Sequence, residues 1–184
     1  MPLESPELGT RRAFGLLFVC VSLAVGAASV ISEIAYINGA PLFYYAIIWL
    51  GSFGLVFGAF AGKFRKAAPA IRGRMESSVT WSAWSKAING VSWAGPFAAI
   101  AAFPSLHQYL ILLGIGLGNL STYFLVKKYS GNDNREQVIV AGVSLAALPV
   151  AIAIDSTLLV THQDIAVMLS RILIAAAYAA GGAY

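Results

Sequence analysis

The feature that most limits what this chain can fold into is the length of its charge-free stretches. Residues 13–32 contain no Asp, Glu, Lys or Arg, and neither do residues 34–62, 87–126 or 137–154. A fifth stretch, running to residue 184, is broken only by Arg171. A soluble domain cannot keep 40 consecutive residues (87–126) out of water without a charge among them. Across the chain 59% of residues are hydrophobic and 11% charged, against about 25% charged in an ordinary soluble domain. The same apolar excess excludes disorder. These features predict an integral membrane protein. A spanning helix takes about 20 residues, so six spans fill most of a chain of 184 residues and leave no room for a soluble domain.

The expected architecture is all-α and polytopic, a single transmembrane domain over residues 1–184. Six helices are predicted, at about 13–33, 42–62, 80–103, 108–126, 137–155 and 164–183, paired as three hairpins. Pro104-Ser105-Leu106-His107 marks the turn inside the longest stretch, because proline ends one helix there. The basic residues set the orientation. Arg11 and Arg12 precede the first span, six lie in 63–86 and three in 127–136, while the alternate loops near 33–41, 104–108 and 155–163 hold none. Eleven against zero is a strong positive-inside pattern and predicts both termini in the cytoplasm. The first span is expected to be a retained helix, since a signal h-region is shorter. The expected location is a cell membrane or another energy-transducing membrane.

The net charge of +4 follows from the cytoplasmic segments. Anionic lipid at that face is the expected partner and no nucleic acid is needed. The segment 63–79 reads as a basic loop, a topology anchor or a docking loop, followed by Trp81 and Trp84 at the inner headgroup zone. Cys20 is the single cysteine, so no disulfide or Cys-based metal site follows. His107 and His162 both stand at the outer start of a span, too shallow for axial haem ligands. No cofactor, metal or catalytic residue is expected. An intramembrane serine protease would need a histidine at the depth of Ser121, and there is none.

Four features remain as candidates for function or assembly. Gly51, Gly54, Gly58 and Gly62 share a face of the second helix, and Gly114 and Gly118 form a similar pair in the fourth. Such spacing lets helices approach closely, within the protomer or between neighbours. Asn89 and Ser92 continue a polar stripe that starts at Ser78 and Ser82; they should face other helices or a wet cavity. Arg171 lies eight residues past Gln163, about 12 Å down its helix. A charge at that depth must find a partner, and Asn119 stands at similar depth. Finally, Pro41/Gly51 and Pro104/Gly114 share a spacing, as do His107/Tyr123 and His162/Tyr178, hinting at a repeated hairpin.

In length, N-inside topology, a glycine-rich second helix ending in Gly62-Lys63-Phe64-Arg65-Lys66 and a small-residue last helix, the chain resembles the small six-helix acetate/succinate uptake transporters. That family carries Asn-Pro-Ala-Pro-Leu-Gly before its first helix, where this chain reads Ser5-Pro6-Glu7-Leu8-Gly9, and its Asn-Thr-Phe-Gly element after the second helix is missing. The resemblance is architectural, and no site residues carry over. Two functions from different classes are expected: a channel or carrier for a small neutral or anionic solute, working as a homo-oligomer, or a non-catalytic accessory subunit packed among other membrane subunits.

Overall fold

The computed structural model describes residues 6–41, 43–76, 80–158 and 163–183. Ser78 and His162 of the sequence reading lie outside these. Among the described residues the chain is all-helical: α1 (Pro6–Ile37), α2 (Phe43–Ala59), α3 (Ala61–Glu76), α4 (Ala83–Ala102), α5 (His107–Ser130), α6 (Arg135–Leu158) and α7 (Gln163–Ala183), with one 3-10 turn at Pro104–Leu106. Arg11–Ile37, His107–Ser130 and Arg135–Thr157 are long and apolar enough to cross a membrane. The pair Phe43–Ala59 and Ala61–Gly73, bent by 85°, makes up to four such spans, and Val167–Ala183 is a shorter apolar helix. These lengths are compatible with a membrane location.

Local chemistry sets the boundaries. Gly39 takes φ 65° between α1 and α2, a conformation open to glycine. Ser82 caps α4 by accepting from the Ser85 backbone N–H at 3.1 Å. Pro104 follows the end of α4 and cannot extend it. Gly131, at φ 70°, closes α5 in the left-handed conformation.

The basic segment after α2 is a correction to the sequence reading: α3 is a helix and not a loop. Its Lys63, Arg65, Lys66 and Arg72 are exposed, while Phe64, Ala67, Ala70 and Ile71 are half-buried. Those positions recur at helical spacing and give α3 an apolar face, which packs on α1 and the end of α2. The expected second helix, 42–62, therefore ends at Ala59. Stacked rings at Trp49, Phe53, Phe57 and Phe64 run across the bend, with centroids 6.4, 6.1 and 5.0 Å apart in turn. The first helix is longer than the expected 13–33.

The helices pack in a row. α2 and α3 lie on α1, α1 on α7, α7 on α6, α6 on α5 and α5 on α4. Among the described residues α1 and α4, near the two ends of this row, do not pack on each other. The core runs through the middle, with Val25, Leu112, Ile115, Val140, Ala147, Ile174 and Ala175 all buried. Small residues bring α1 and α7 together: Ala24, Ala28 and Ala177 are fully buried, and the Ser22 hydroxyl donates to the Ala175 carbonyl at 2.7 Å. A Cβ on Gly15 would stand 3.1 Å from the Gly182 carbonyl oxygen.

The two glycine sets behave oppositely. A Cβ on Gly114 would meet Phe97 at 2.8 Å, and one on Gly118 would meet Trp93 at 2.3 Å, so this pair seats α4 aromatics against α5. Gly51, Gly54, Gly58 and Gly62 are exposed and would meet nothing within 4 Å. Gly62 stands past the bend, in α3, so only Gly51, Gly54 and Gly58 share a face of α2, and among the described residues that face makes no close approach within the chain. The spacing shared by Pro41/Gly51 and Pro104/Gly114 is thus not shared in packing. Gly118→Ala is expected to destabilise the protein by about 1–3 kcal/mol through overpacking. Gly58→Ala should be neutral or raise stability by up to about 1 kcal/mol, the helix-propensity gain. Thermal unfolding of both variants in detergent checks the contrast.

Candidate functional site

Two of the pockets occupy opposite ends of the bundle; a third, about 400 Å³, sits at the α5–α6 turn beside Tyr123, Asp133 and Arg135. The larger, about 600 Å³, lies at the end where the basic residues Lys86 and Lys127 stand. It is walled by the first part of α1, the first half of α4, the second half of α5, the start of α6 and Tyr178 of α7. Because α1 and α4 leave a gap in the row, Phe14, Phe18 and Val21 line one side and Asn89, Gly90 and Trp93 another. Two of the four polar candidates, Asn89 and Asn119, come together here. Asn89 Nδ2 donates to Ser121 Oγ and Thr122 Oγ1, both at 2.9 Å, and Trp93 Nε1 donates to Thr122 Oγ1 at 3.1 Å. The Ser121 and Thr122 hydroxyls donate in turn to the Gly118 carbonyl, at 3.0 and 2.8 Å. Asn119 donates to the Ile115 carbonyl at 2.9 Å and lines the cavity together with Tyr178. Ser92 is half-buried and lines neither pocket.

Sequence reasoning placed Trp81 and Trp84 together in the headgroup zone. The structure separates them: Trp84 is 76% exposed, whereas Trp81 is buried against Tyr129 and lines the cavity. Asn134 and Gln137, at the start of α6, line it as well. None of these three was singled out as a site residue, because a tryptophan near a span end and polar residues at a helix start have ordinary interfacial explanations.

The smaller pocket, about 200 Å³, is lined by Ser32, Glu33, Tyr36, Tyr45, His107, Val167 and Arg171. Arg171 does not meet Asn119 here. Its charge interacts with Glu33 and Tyr45 instead, and Glu33 is only 7% exposed. Helix α1 continues past Glu33 to Ile37, which keeps Glu33 inside the bundle. Between the pockets lie Val25 of α1, Leu112 and Ile115 of α5, and Ile174 and Ala175 of α7, all buried.

Two further polar clusters were not singled out. Asp155, on α6, is buried and accepts from Gln108 Nε2 at 2.5 Å and from the Tyr109 hydroxyl. At the α5–α6 turn, Asp133 accepts from Arg135 Nε at 2.7 Å and from the Tyr123 hydroxyl at 2.9 Å. The Arg135 hydrogen bond, followed by that from Tyr123, holds the Asp133 carboxyl below its ordinary value. Its neighbours are exposed, so this cluster fixes the turn more than it stabilises the fold. Among the described residues no group of three or more His, Cys, Asp or Glu is placed to hold a metal ion.

The class these observations define is a helical bundle with membrane-length apolar helices and a cavity at each end. No known protein family, characterised protein or solved structure matches the chain. The acetate/succinate transporter outline thus stays a likeness of length and layout.

Proposed function

We propose that the chain is a small-solute carrier of a cellular membrane. In this reading its six apolar helices span the bilayer as three hairpins, and both termini are cytoplasmic. The observation that carries it is the pair of pockets at opposite ends of one bundle, about 600 and 200 Å³, separated by packed apolar side chains. A carrier needs a site reachable from each side in turn and a barrier that small helix shifts can open. The eleven-to-none distribution of basic residues supports the orientation. Helix α3 then lies along the cytoplasmic headgroups, its apolar face on the bundle and its cations toward anionic lipid. A neutral solute is favoured over an anionic one, because Glu33 already answers the charge of Arg171.

The accessory-subunit reading keeps one specific support. The bare glycine face of α2, flanked by Leu50 and Leu55 at 76% and 77% exposure, suits close packing on a neighbouring helix, in a homo-oligomer or in a larger complex. Liposome flux separates the readings. Vesicles holding the purified protein are expected to take up small neutral solutes faster than empty vesicles. Asn119→Leu, which removes the amide between Ile115 and Tyr178, should slow uptake several-fold. Uptake equal to that of empty vesicles, together with recovery of unrelated subunits in fixed ratio after gentle extraction, would overturn the carrier.

A further inference from the structure

We infer that the larger cavity is a binding site for a single-chain carboxylate amphiphile of medium length, its head at Lys86 and its tail between α1 and α4. The inference goes beyond the carrier reading and does not rest on it: the amphiphile is a bound ligand, not the solute carried.

Charge sets the head group. Among the described residues lining the cavity Lys86 is the only charged one, and no Asp or Glu lines it. Lys86 is exposed and stands near the start of α4. Glu136 lies in the chain between the lining residues Asn134 and Gln137, but it is 2% exposed and does not line the cavity. A cationic head would meet Lys86 with no acid to offset it. A carboxylate matches one monovalent cation with one monovalent anion, at a partly enclosed site where salt screens a charge pair less than in open water. Gln137 lines the same end; its side-chain oxygen accepts from Asn134 Nδ2 at 3.4 Å, which leaves its amide N–H groups as donors. Deeper in, Asn89, Trp93 and Asn119 donate within the protein, so an apolar tail costs them no partner.

The walls set the tail. Lys86, Gly90 and Trp93 all line the cavity, and their helical spacing puts them on one face of α4. Trp93 lies seven residues past Lys86, and on α1 Val21 lies seven past Phe14. Each wall is therefore about 10 Å long at helical rise. An extended chain advances about 1.2 Å per bond, so about eight carbons fill that length. Among the described residues α1 and α4 do not pack on each other, which leaves the space between them to the tail. A Cβ on Gly90 would meet nothing within 4 Å, so there the cavity has room that a side chain could fill. Ligand pockets commonly combine such apolar walls with a few polar groups that fix orientation.

The test is equilibrium binding to the full chain in lipid nanodiscs, with empty discs subtracted to remove partitioning. The probe is decanoate, compared with decanamide and decylamine. Saturable decanoate binding is expected, tighter than that of either analogue. Lys86→Gln removes the charge and keeps an extended side chain; it should weaken decanoate binding about tenfold and leave decanamide binding unchanged. Lys86→Arg should bind decanoate as the wild type does. Gly90→Leu fills the cavity from α4 and should abolish binding of both, and the Lys86 variants serve alone where it does not fold. Four results would overturn the inference: no saturable binding beyond empty discs; decanamide or decylamine binding as tightly as decanoate; unchanged decanoate affinity in Lys86→Gln; or undiminished binding in folded Gly90→Leu. A phospholipid that stays with the purified protein, is lost in Gly90→Leu and is not displaced by decanoate would also overturn it, giving the cavity to membrane lipid. Decanoate binding without liposome flux would remove the carrier and leave this site standing. Flux of small neutral solutes without decanoate binding would remove this site alone.

Discussion

Arg171→Met is expected to lower stability by about 2–4 kcal/mol, and adding Glu33→Gln to it should restore most of that loss. Glu33 is 7% exposed and lines the smaller pocket with Arg171, and the two charges attract. Removing one member of a buried pair strands the other in a poorly solvating setting, at a cost of about 3–5 kcal/mol when both are fully buried. Arg171 is only partly buried, which places the expectation at the lower end. Removing both charges eliminates the stranded ion, so the double variant should stand well above the sum of the singles. Thermal or denaturant unfolding of all four proteins in one detergent gives the coupling directly. Singles that add to within about 0.5 kcal/mol would show that the two residues act independently.

Arg171 also shows where sequence reading reaches its limit. Its depth was legible, because helical rise converts residue number into distance along one helix. Its partner was not, because depth does not fix which helix stands alongside. Asn119 fitted the depth, but α7 packs mainly on α1 and α6 and only marginally on α5, so Asn119 meets Tyr178 one end further along. The six apolar segments were legible for a related reason: long runs with few charges stand out in the sequence, and each contains a helix. Helix α3 was missed because its basic residues outweighed a short apolar face, although Phe64, Ala67 and Ile71 already carried the spacing. Glycine patterns marked two helices suited to close approach, yet gave no sign that α5 uses the property within the chain while α2 leaves it open. The tight α1–α7 approach at Gly15 and Gly182 was not anticipated, because these glycines stand alone or at a helix end. Trp81 and Asn134 have the composition of an ordinary interface, and only the fold places them at the cavity wall.

The double variant Gln108→Leu/Tyr109→Phe is expected to lose about 3 kcal/mol, more than either single change. Asp155 is 5% exposed, and one carboxylate oxygen receives both donors, which come from the first turn of α5. Its other oxygen has no partner among the described residues, so no other described residue compensates for the carboxylate when the donors go. Each single change leaves one donor and should cost about 1–2 kcal/mol, the range for a hydrogen bond to a charged group. The double change leaves a buried carboxylate with neither, and the penalty then approaches that of an uncompensated ion. Adding Asp155→Leu removes the ion itself and should recover most of the stability, since an apolar replacement of a whole buried polar cluster is often nearly neutral. What the triple variant should not recover is the fixed register of α5 against α6, because three apolar side chains can slide where a carboxylate held by two donors cannot. Unfolding measurements on the wild type and the four variants test the energetic part. A cysteine pair placed across α5 and α6, cross-linking uniquely in the wild type and at several positions in the triple variant, tests the register.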